Sequence, residues 1–311
     1  ILKKCRRESE KLAFIYSVPE ELAGLLIGAY GKKTAEKILA SFQAVNPVTI
    51  RVQTANARTS QVQDNLIKAG IRTVPCPYVR HAFRLSGVER VDELPGFAEG
   101  HFIIQDESSM LPVLVSGIRP GDFVMDVCSS PGGKALHAAD LLDGTGVVSA
   151  RDVSEYKLQR IRENVRRLKA ENIEIKLWDG RKVDPEWEER ADVVIADVPC
   201  SGIGVIGRKP EIRYMAVQNA PELQSLQRDI LRGAVRALKP GGTLIYSTCT
   251  VNPAENEENA RWIAEDLSLR LVPLDEDLPE ELRNKMTGQG MLQILPGIHE
   301  GNGFFVAKFI K

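Results

Sequence analysis

The sequence predicts an α/β fold built on a mostly parallel, doubly wound sheet, with a small α+β domain ahead of it. Short apolar runs at 123–128, 146–152, 173–178, 192–197 and 243–249 alternate with stretches of helical period, the rhythm of parallel strands joined by crossover helices. Each run ends on or beside an Asp or a Cys, which lines polar chemistry along the edge where open α/β sheets bind ligands. Before residue 105 the rhythm differs, with short strands around a single amphipathic helix.

In chain order, residues 1–43 read as a helical lead-in, where Pro19-Glu20-Glu21 resembles a proline-led acidic first turn and Tyr30-Gly31 a helix end. Thr34 is expected to cap a helix over 35–42. Pro47 breaks the pattern, and Val48–Val52 reads as a strand. A helix over 60–69 stops at Gly70. Strands follow over 74–79, whose two prolines suit an edge, and over 82–85. These make a small domain, 44–104. Residues 105–311 form the large domain. Its expected helices cover 108–116, 134–142, 154–169, 221–238 and 253–266, and 201–220 is irregular. Two last strands, near 291–295 and 303–310, suit an antiparallel hairpin at the edge.

At 311 residues and 43% hydrophobic composition, the chain can bury one or two sizeable cores. No apolar run reaches the roughly 18–20 residues of a membrane span, so no membrane partner is expected. The charged start, Ile1-Leu2-Lys3-Lys4-Cys5-Arg6-Arg7, lacks the apolar core of a signal peptide. Five cysteines without a C-x-x-C pair, and four scattered histidines, point to a reducing, cytoplasmic setting and away from a metal site. Because the chain opens on Ile1 rather than Met, loss of a preceding segment is expected. Net charge is −1, which advertises no nucleic acid, although 1–110 carries fifteen Lys and Arg against twelve Asp and Glu. Residues 154–170 hold six basic and two acidic residues, a pattern more typical of a solvated helix face than of an RNA-facing stripe.

Asp197-Val198-Pro199-Cys200 is the centre of the large domain. Pro199 cannot donate to a ladder, so the strand stops there and delivers a carboxylate and a thiol together. A second strand end carries Cys249, and a third runs into Cys128-Ser129-Ser130-Pro131-Gly132-Gly133-Lys134. The glycines let backbone approach a ligand closely. This is not a phosphate loop of the Walker type, since Ala135 follows Lys134. Asp152 and Asp179 end the next two strands. There they suit a ribose diol and an adenine amino group, although either alone also reads as a helix cap. Gly202-Ile203-Gly204-Val205-Ile206-Gly207 matches a dinucleotide fingerprint, but Arg208-Lys209-Pro210 follows where a helix must open.

Taken in order, Cys-Ser-Ser-Pro-Gly-Gly-Lys at 128–134, Asp-Val-Pro-Cys-Ser-Gly at 197–202 and Ser-Thr-Cys-Thr-Val-Asn-Pro-Ala-Glu-Asn-Glu at 247–257 resemble the Sun/Nop2 family of RNA cytosine-C5 methyltransferases. The resemblance spans nearly the whole chain and includes 94–97, 105–109, 295–297 and 300–305. It implies a Rossmann-like fold and an RNA-recognition-like small domain. In the family an all-helical RNA-binding domain lies ahead of this region, and residues 1–14 are its only possible remnant here. The implied cofactor is S-adenosylmethionine, held by Cys128–Lys134, Asp152, Asp179 and Asp197. The implied substrate is RNA, ribosomal 16S RNA in particular, with no obligate protein partner.

Cytosine C5 is a poor nucleophile, so the chemistry needs a thiolate to add at C6, an acceptor for the C5 proton and a group on the base edge. The family's strand order brings Cys200 and Cys249 to one pocket. Spacing alone does not choose between them. The resemblance makes Cys249 the nucleophile, has Cys200 assist proton loss and thiol release, and puts Asp197 on the base. Arg208, Lys209 and Arg213 are expected to meet RNA phosphates. Two positions depart from the family pattern: Gly207 replaces a second basic residue, which leaves the RNA grip open, and Val198 replaces Ala. Two other readings compete, a catalytically silent RNA-binding protein and a nicotinamide-dependent oxidoreductase. Stabilisation by S-adenosylhomocysteine but not NADP would exclude the second.

Overall fold

The computed structural model describes residues 5–44 and 46–311. Residues 1–4, where the lead-in and the charged start begin, and residue 45 at the edge of the small domain lie outside the described residues. Among the described residues, no single helix is long and apolar enough to cross a membrane.

Three helices come first: α1 (Glu8–Tyr16), α2 (Glu20–Tyr30) and α3 (Lys32–Ser41). Gly31, at φ 77°, separates the last two, so α3 begins before Thr34 and the expected cap lies inside the helix. The three helices bury Leu12, Leu22, Leu26, Ile38 and Leu39 against Ile203, Ile206 and Val251, so they dock on the large domain.

The small sheet comprises β1 (Val48–Val52), β2 (Arg72–Pro75), β3 (Ala82–Ser86) and β4 (Phe102–Ile104), antiparallel in the order β2-β3-β1-β4, with α4 (Thr59–Lys68) after β1. This is the strand order of a ferredoxin-like fold, with a 3-10 turn at Val91–Glu93 in the place of a second helix. The expected strand over 74–79 lies earlier, at β2, because pairing ends at Pro75 opposite Phe83 and the chain then turns. β2 is the sheet edge, a place that suits its Pro75. β4 is a strand that periodicity missed, since three residues are too few to show a period.

The large domain begins with α5 (Leu111–Leu114), followed by β5 (Phe123–Asp126), α6 (Gly133–Leu141), β6 (Val147–Asp152), α7 (Glu155–Leu168), β7 (Ile173–Leu177) and β8 (Ala191–Asp197). It continues through α8 (Ala220–Ala237), β9 (Leu238–Thr248), α9 (Glu257–Asp266), β10 (Arg270–Leu271), β11 (Met291–Ile294) and β12 (Phe304–Ile310). The strand order is β10-β12-β9-β8-β5-β6-β7, with β11 on β12. β5 to β9 run parallel, and β12 pairs antiparallel with β9 and β11. The expected helix over 253–266 starts only at Glu257, because the Asn and Glu side chains ahead of it are engaged elsewhere. Likewise, no α-helix opens at the glycine run of 202–207, where only short 3-10 turns form, over Ile203–Val205 and Pro210–Tyr214. Gly204 passes so close to the chain at Gly303 that a Cβ would lie 2.2 Å from its carbonyl oxygen.

Charged contacts join the domains, among them two on α6 and α7. Fully buried Arg51 of β1 pairs with Asp140 of α6 at 3.3 Å. On α7, Arg167 donates to the carbonyls of Phe97 (2.9 Å) and Phe102 (3.0 Å) and stacks over the Phe97 ring. One cation of the 154–170 stretch is therefore part of the domain junction. Arg167→Met is expected to cost about 1.5–3 kcal/mol in denaturant unfolding, whereas Arg166→Met on the exposed face stays within about 0.5 kcal/mol. Equal effects would mean that the carbonyl contacts contribute nothing.

Candidate active site

A cavity of about 480 Å³ opens at the C-terminal edge of the large sheet. Its wall includes Asp126, the 128–134 loop, Asp197 and Cys249, with Thr49 and Ile104 contributed by the small domain. The loop is shaped by Gly132, whose φ of 102° suits glycine alone and which caps α6. Behind the loop, the Ser130 amide donates to Asp152 at 3.1 Å.

Lys134 turns inward from the first turn of α6. Its Nζ donates to Asp197 (2.5 Å) and to the Ser109 hydroxyl (3.2 Å), and lies 5.3 Å from the Phe304 ring centroid. Burial disfavours the ammonium, but Asp197 overrides this and holds its pKa above the ordinary value. Ser247 Oγ donates to the other Asp197 oxygen at 2.9 Å, which orients the carboxylate.

The two strand-end cysteines meet: Cys200 Sγ lies 3.2 Å from Cys249 Sγ. The pair is asymmetric. A hydrogen bond from Cys200 lowers the Cys249 pKa, and Lys134 and Lys209 act the same way against burial. The same hydrogen bond, with burial, pushes Cys200 up. The pair thus favours a thiolate on the sulfur that lines the cavity, with its proton donor behind. Burial pushes the Cys128 thiol up, with Asp126 and Asp152 adding to the shift, so it is no nucleophile.

A buried polar network holds these two loops in register. Glu255 accepts from the Ser201 amide (2.8 Å), Gln227 Nε2 (2.9 Å) and Asn252 Nδ2 (3.1 Å), and Gln227 Nε2 also donates to Pro199 O (2.9 Å). Asn256 Nδ2 donates to Thr250 O (3.0 Å) and Gln293 Oε1 (2.7 Å), and Asn259 reaches Gln227 and the Tyr246 hydroxyl. The polar motif after Cys249 therefore serves to position both thiols.

The sequence-derived candidates divide accordingly. Cys128, Ser129, Ser130, Pro131, Gly133, Lys134, Asp197 and Cys249 lie on the cavity wall. Gly132 shapes the loop, Cys200 lies behind Cys249, and Asp152 is buried behind Ser130, where it also pairs with Lys157 at 2.9 Å. Asp179 is not part of the wall; its carboxylate is held by the Arg181 guanidinium at 2.7–3.1 Å. Of the expected phosphate contacts, Arg208 and Lys209 both reach the cavity wall, Arg208 also donating to Pro47 O, whereas Arg213 donates to Pro210 O and Ser17 O. Asp126 was missed. It reads as one more residue of an apolar strand, and only its place next to the glycine loop could have flagged it.

A family model described as 16S rRNA methyltransferase RsmB/F matches residues 113–310, and the model for that family's ferredoxin-like domain matches 18–92. The chain belongs to the RsmB/F family of rRNA methyltransferases. It is 33% identical to the probable ribosomal RNA small subunit methyltransferase B of Synechocystis, across 98% of this chain and 69% of that one. It is 35% identical to the probable counterpart in Bacillus subtilis, across 97% and 68%. Among solved structures, a methyltransferase homologue from Pyrococcus horikoshii superposes with a TM-score of 0.84 at 27% identity, across 99% of this chain and all of that one. NSun6 from the same organism, solved with the S-adenosylmethionine analogue SFG, shares the fold at a TM-score of 0.86 and 22% identity, across 96% and 99%.

S-adenosylmethionine is the methyl donor of RsmB/F enzymes. The cavity fits such a group. It is large enough for a nucleoside, a glycine-shaped loop forms one wall, and the buried oxygens of Asp126 and Ser129 have no protein partner.

Proposed function

We propose that the chain methylates C5 of a cytosine in ribosomal RNA, in 16S RNA as its relatives' names suggest, through a covalent Cys249–C6 adduct. The thiol pair carries this reading, because Cys249 faces the cavity with its pKa lowered and Cys200 lies 3.2 Å behind it. Bound S-adenosylmethionine supplies the electrophilic methyl group. Cys249 adds to C6, which gives C5 the electron density to accept the methyl. Asp197, held by Lys134 and Ser247, contacts the base edge. Cys200 then assists loss of the C5 proton, and the electrons left at C5 expel the Cys249 sulfur from C6.

The same reading assigns the cofactor to 128–134, Asp152, Asp179 and Asp197, the chemistry to 105–311 and RNA recognition to 44–104 beside the helices of 1–43. It places the enzyme in the cytoplasm, with RNA as its partner. The target base must leave its stack or be presented in a loop. The test is incubation with labelled S-adenosylmethionine and unmodified ribosomal RNA, followed by nuclease digestion and mass spectrometry. The expected product is 5-methylcytidine. Methyl at another atom would overturn the C5 assignment, and tight RNA binding without incorporation would favour a silent binding protein.

A further inference from the structure

Asp126 ends β5 at the inner end of the cavity. It is 1% exposed, and neither carboxyl oxygen has a hydrogen-bond partner of ordinary geometry among the described residues, although the Ser129 hydroxyl and the Cys128 amide lie close enough to favour its charged form. The adjacent Ser129 hydroxyl is also buried and unpartnered. Buried carboxylates are ordinarily paired or multiply hydrogen-bonded. Of the cations on the cavity wall, Lys134 is the one that acts on Asp126, and it is bonded to Asp197. Asp126 is therefore a potential negative charge left without a counter-charge, on the strand beside the one that carries Asp197. The small molecule expected here has a matching excess. S-adenosylmethionine has a sulfonium and an ammonium against one carboxylate, whereas S-adenosylhomocysteine has lost the sulfonium charge.

We propose that Asp126 is the counter-charge of the cofactor's sulfonium, so that the cavity takes up S-adenosylmethionine with release of the Asp126 proton and holds the neutral product without it. The inference rests on the assignment of this cavity to the cofactor. Asp126 shares the inner wall with Asp197 and Cys249, where the methyl must be delivered, whereas Asp152 lies behind the loop. Burial pushes the free Asp126 carboxyl up to about 7, and Lys134 opposes the shift. The groups around it are Lys134 on α6, Asp197 on β8, Cys128 and Ser129 in the loop, Asp152 at the end of β6 and Cys249 after β9, with Asp106, Arg208 and Lys209 elsewhere on the cavity wall. Among the described residues, no histidine lies on the cavity wall.

The sign follows from linkage. A nearby cation lowers the carboxyl pKa, so the bound state holds fewer protons, and affinity falls as pH drops below about 7. Once the sulfonium is consumed the carboxylate regains its proton, which eases exchange of product for fresh cofactor.

Calorimetry on the full chain, at pH 6 and 8 and in buffers of differing ionisation enthalpy, tests this with both ligands. For wild type, S-adenosylmethionine should bind about tenfold tighter at pH 8 than at pH 6, with proton release in between. Asp126→Asn should weaken S-adenosylmethionine about tenfold at pH 8 and remove that excess proton release. Its affinity for S-adenosylhomocysteine should stay within about twofold of wild type, which also shows that the variant folds. Equal losses for both ligands, or no change for either, would overturn the counter-charge while leaving the cofactor assignment intact. Failure of wild type to bind either ligand would overturn that assignment as well.

Discussion

Cys249→Ser is expected to lose methyl transfer and the protein–RNA adduct together, by more than about 10³-fold in rate, because the nucleophile is removed. A serine hydroxyl at neutral pH is far less ionised than a thiol whose pKa is lowered by a hydrogen bond from Cys200. Cys200→Ser should behave differently. Cys249 remains, so addition and methyl transfer proceed, but the group that assists the later steps is gone and the thioether persists. Protein and RNA should then migrate together on a denaturing gel, with the nucleotide on the peptide that contains Cys249. A trapped adduct from Cys249→Ser, and none from Cys200→Ser, would make Cys200 the attacking thiol. Adducts from neither would sink the division of labour while leaving methyl transfer itself open.

Arg51→Met is expected to cost about 3–5 kcal/mol of stability, the toll of breaking a buried ion pair by removing one partner. The guanidinium is fully buried. It donates to Gln105 (3.0 Å), Gln53 (3.1 Å) and Asp140 (3.3 Å), and Asp140 in turn accepts from Thr54 and the Ala55 amide. Burial lowers Arg51 only to about 10, with Asp140 opposing the shift, so the pair is ionised at neutral pH. Methionine fills the space but leaves the glutamine carbonyls and one Asp140 oxygen short of a donor. Because Asp140 lies on α6, the helix that carries Lys134, cofactor affinity should fall along with stability. Urea unfolding followed by fluorescence measures the first effect. A loss below about 1 kcal/mol would mean that the junction relaxes around the missing charge.

Much of this architecture was legible because it is written locally. The parallel strands and the helices between them follow from apolar runs, Gly and Pro stops and Ser154, which caps α7 as a serine before a helical stretch should. Boundaries went astray where side chains serve something distant. The helix after Pro253 starts four residues late because Asn252, Glu255 and Asn256 hold the Cys200 and Cys249 loops. Three-residue β4 and two-residue β10 are too short for a period, and pairing with β1 and β12 makes them strands.

The sequence alone determined the parallel sheet, the glycine loop and the placement of Asp and Cys at strand ends, since strand period and turn chemistry are properties of neighbouring residues. Only the tertiary structure decided which of those residues meet. Cys200 and Cys249 are 49 positions apart, and Lys134 and Asp197 are 63 apart. Asp179 carries the same chemical signature as Asp197, yet a local arginine holds it off the cavity wall. Asp126 looks like an ordinary strand residue until folding buries its oxygens without a partner. Solvation and ion pairing depend on what the fold brings across the sheet, and no local pattern records that.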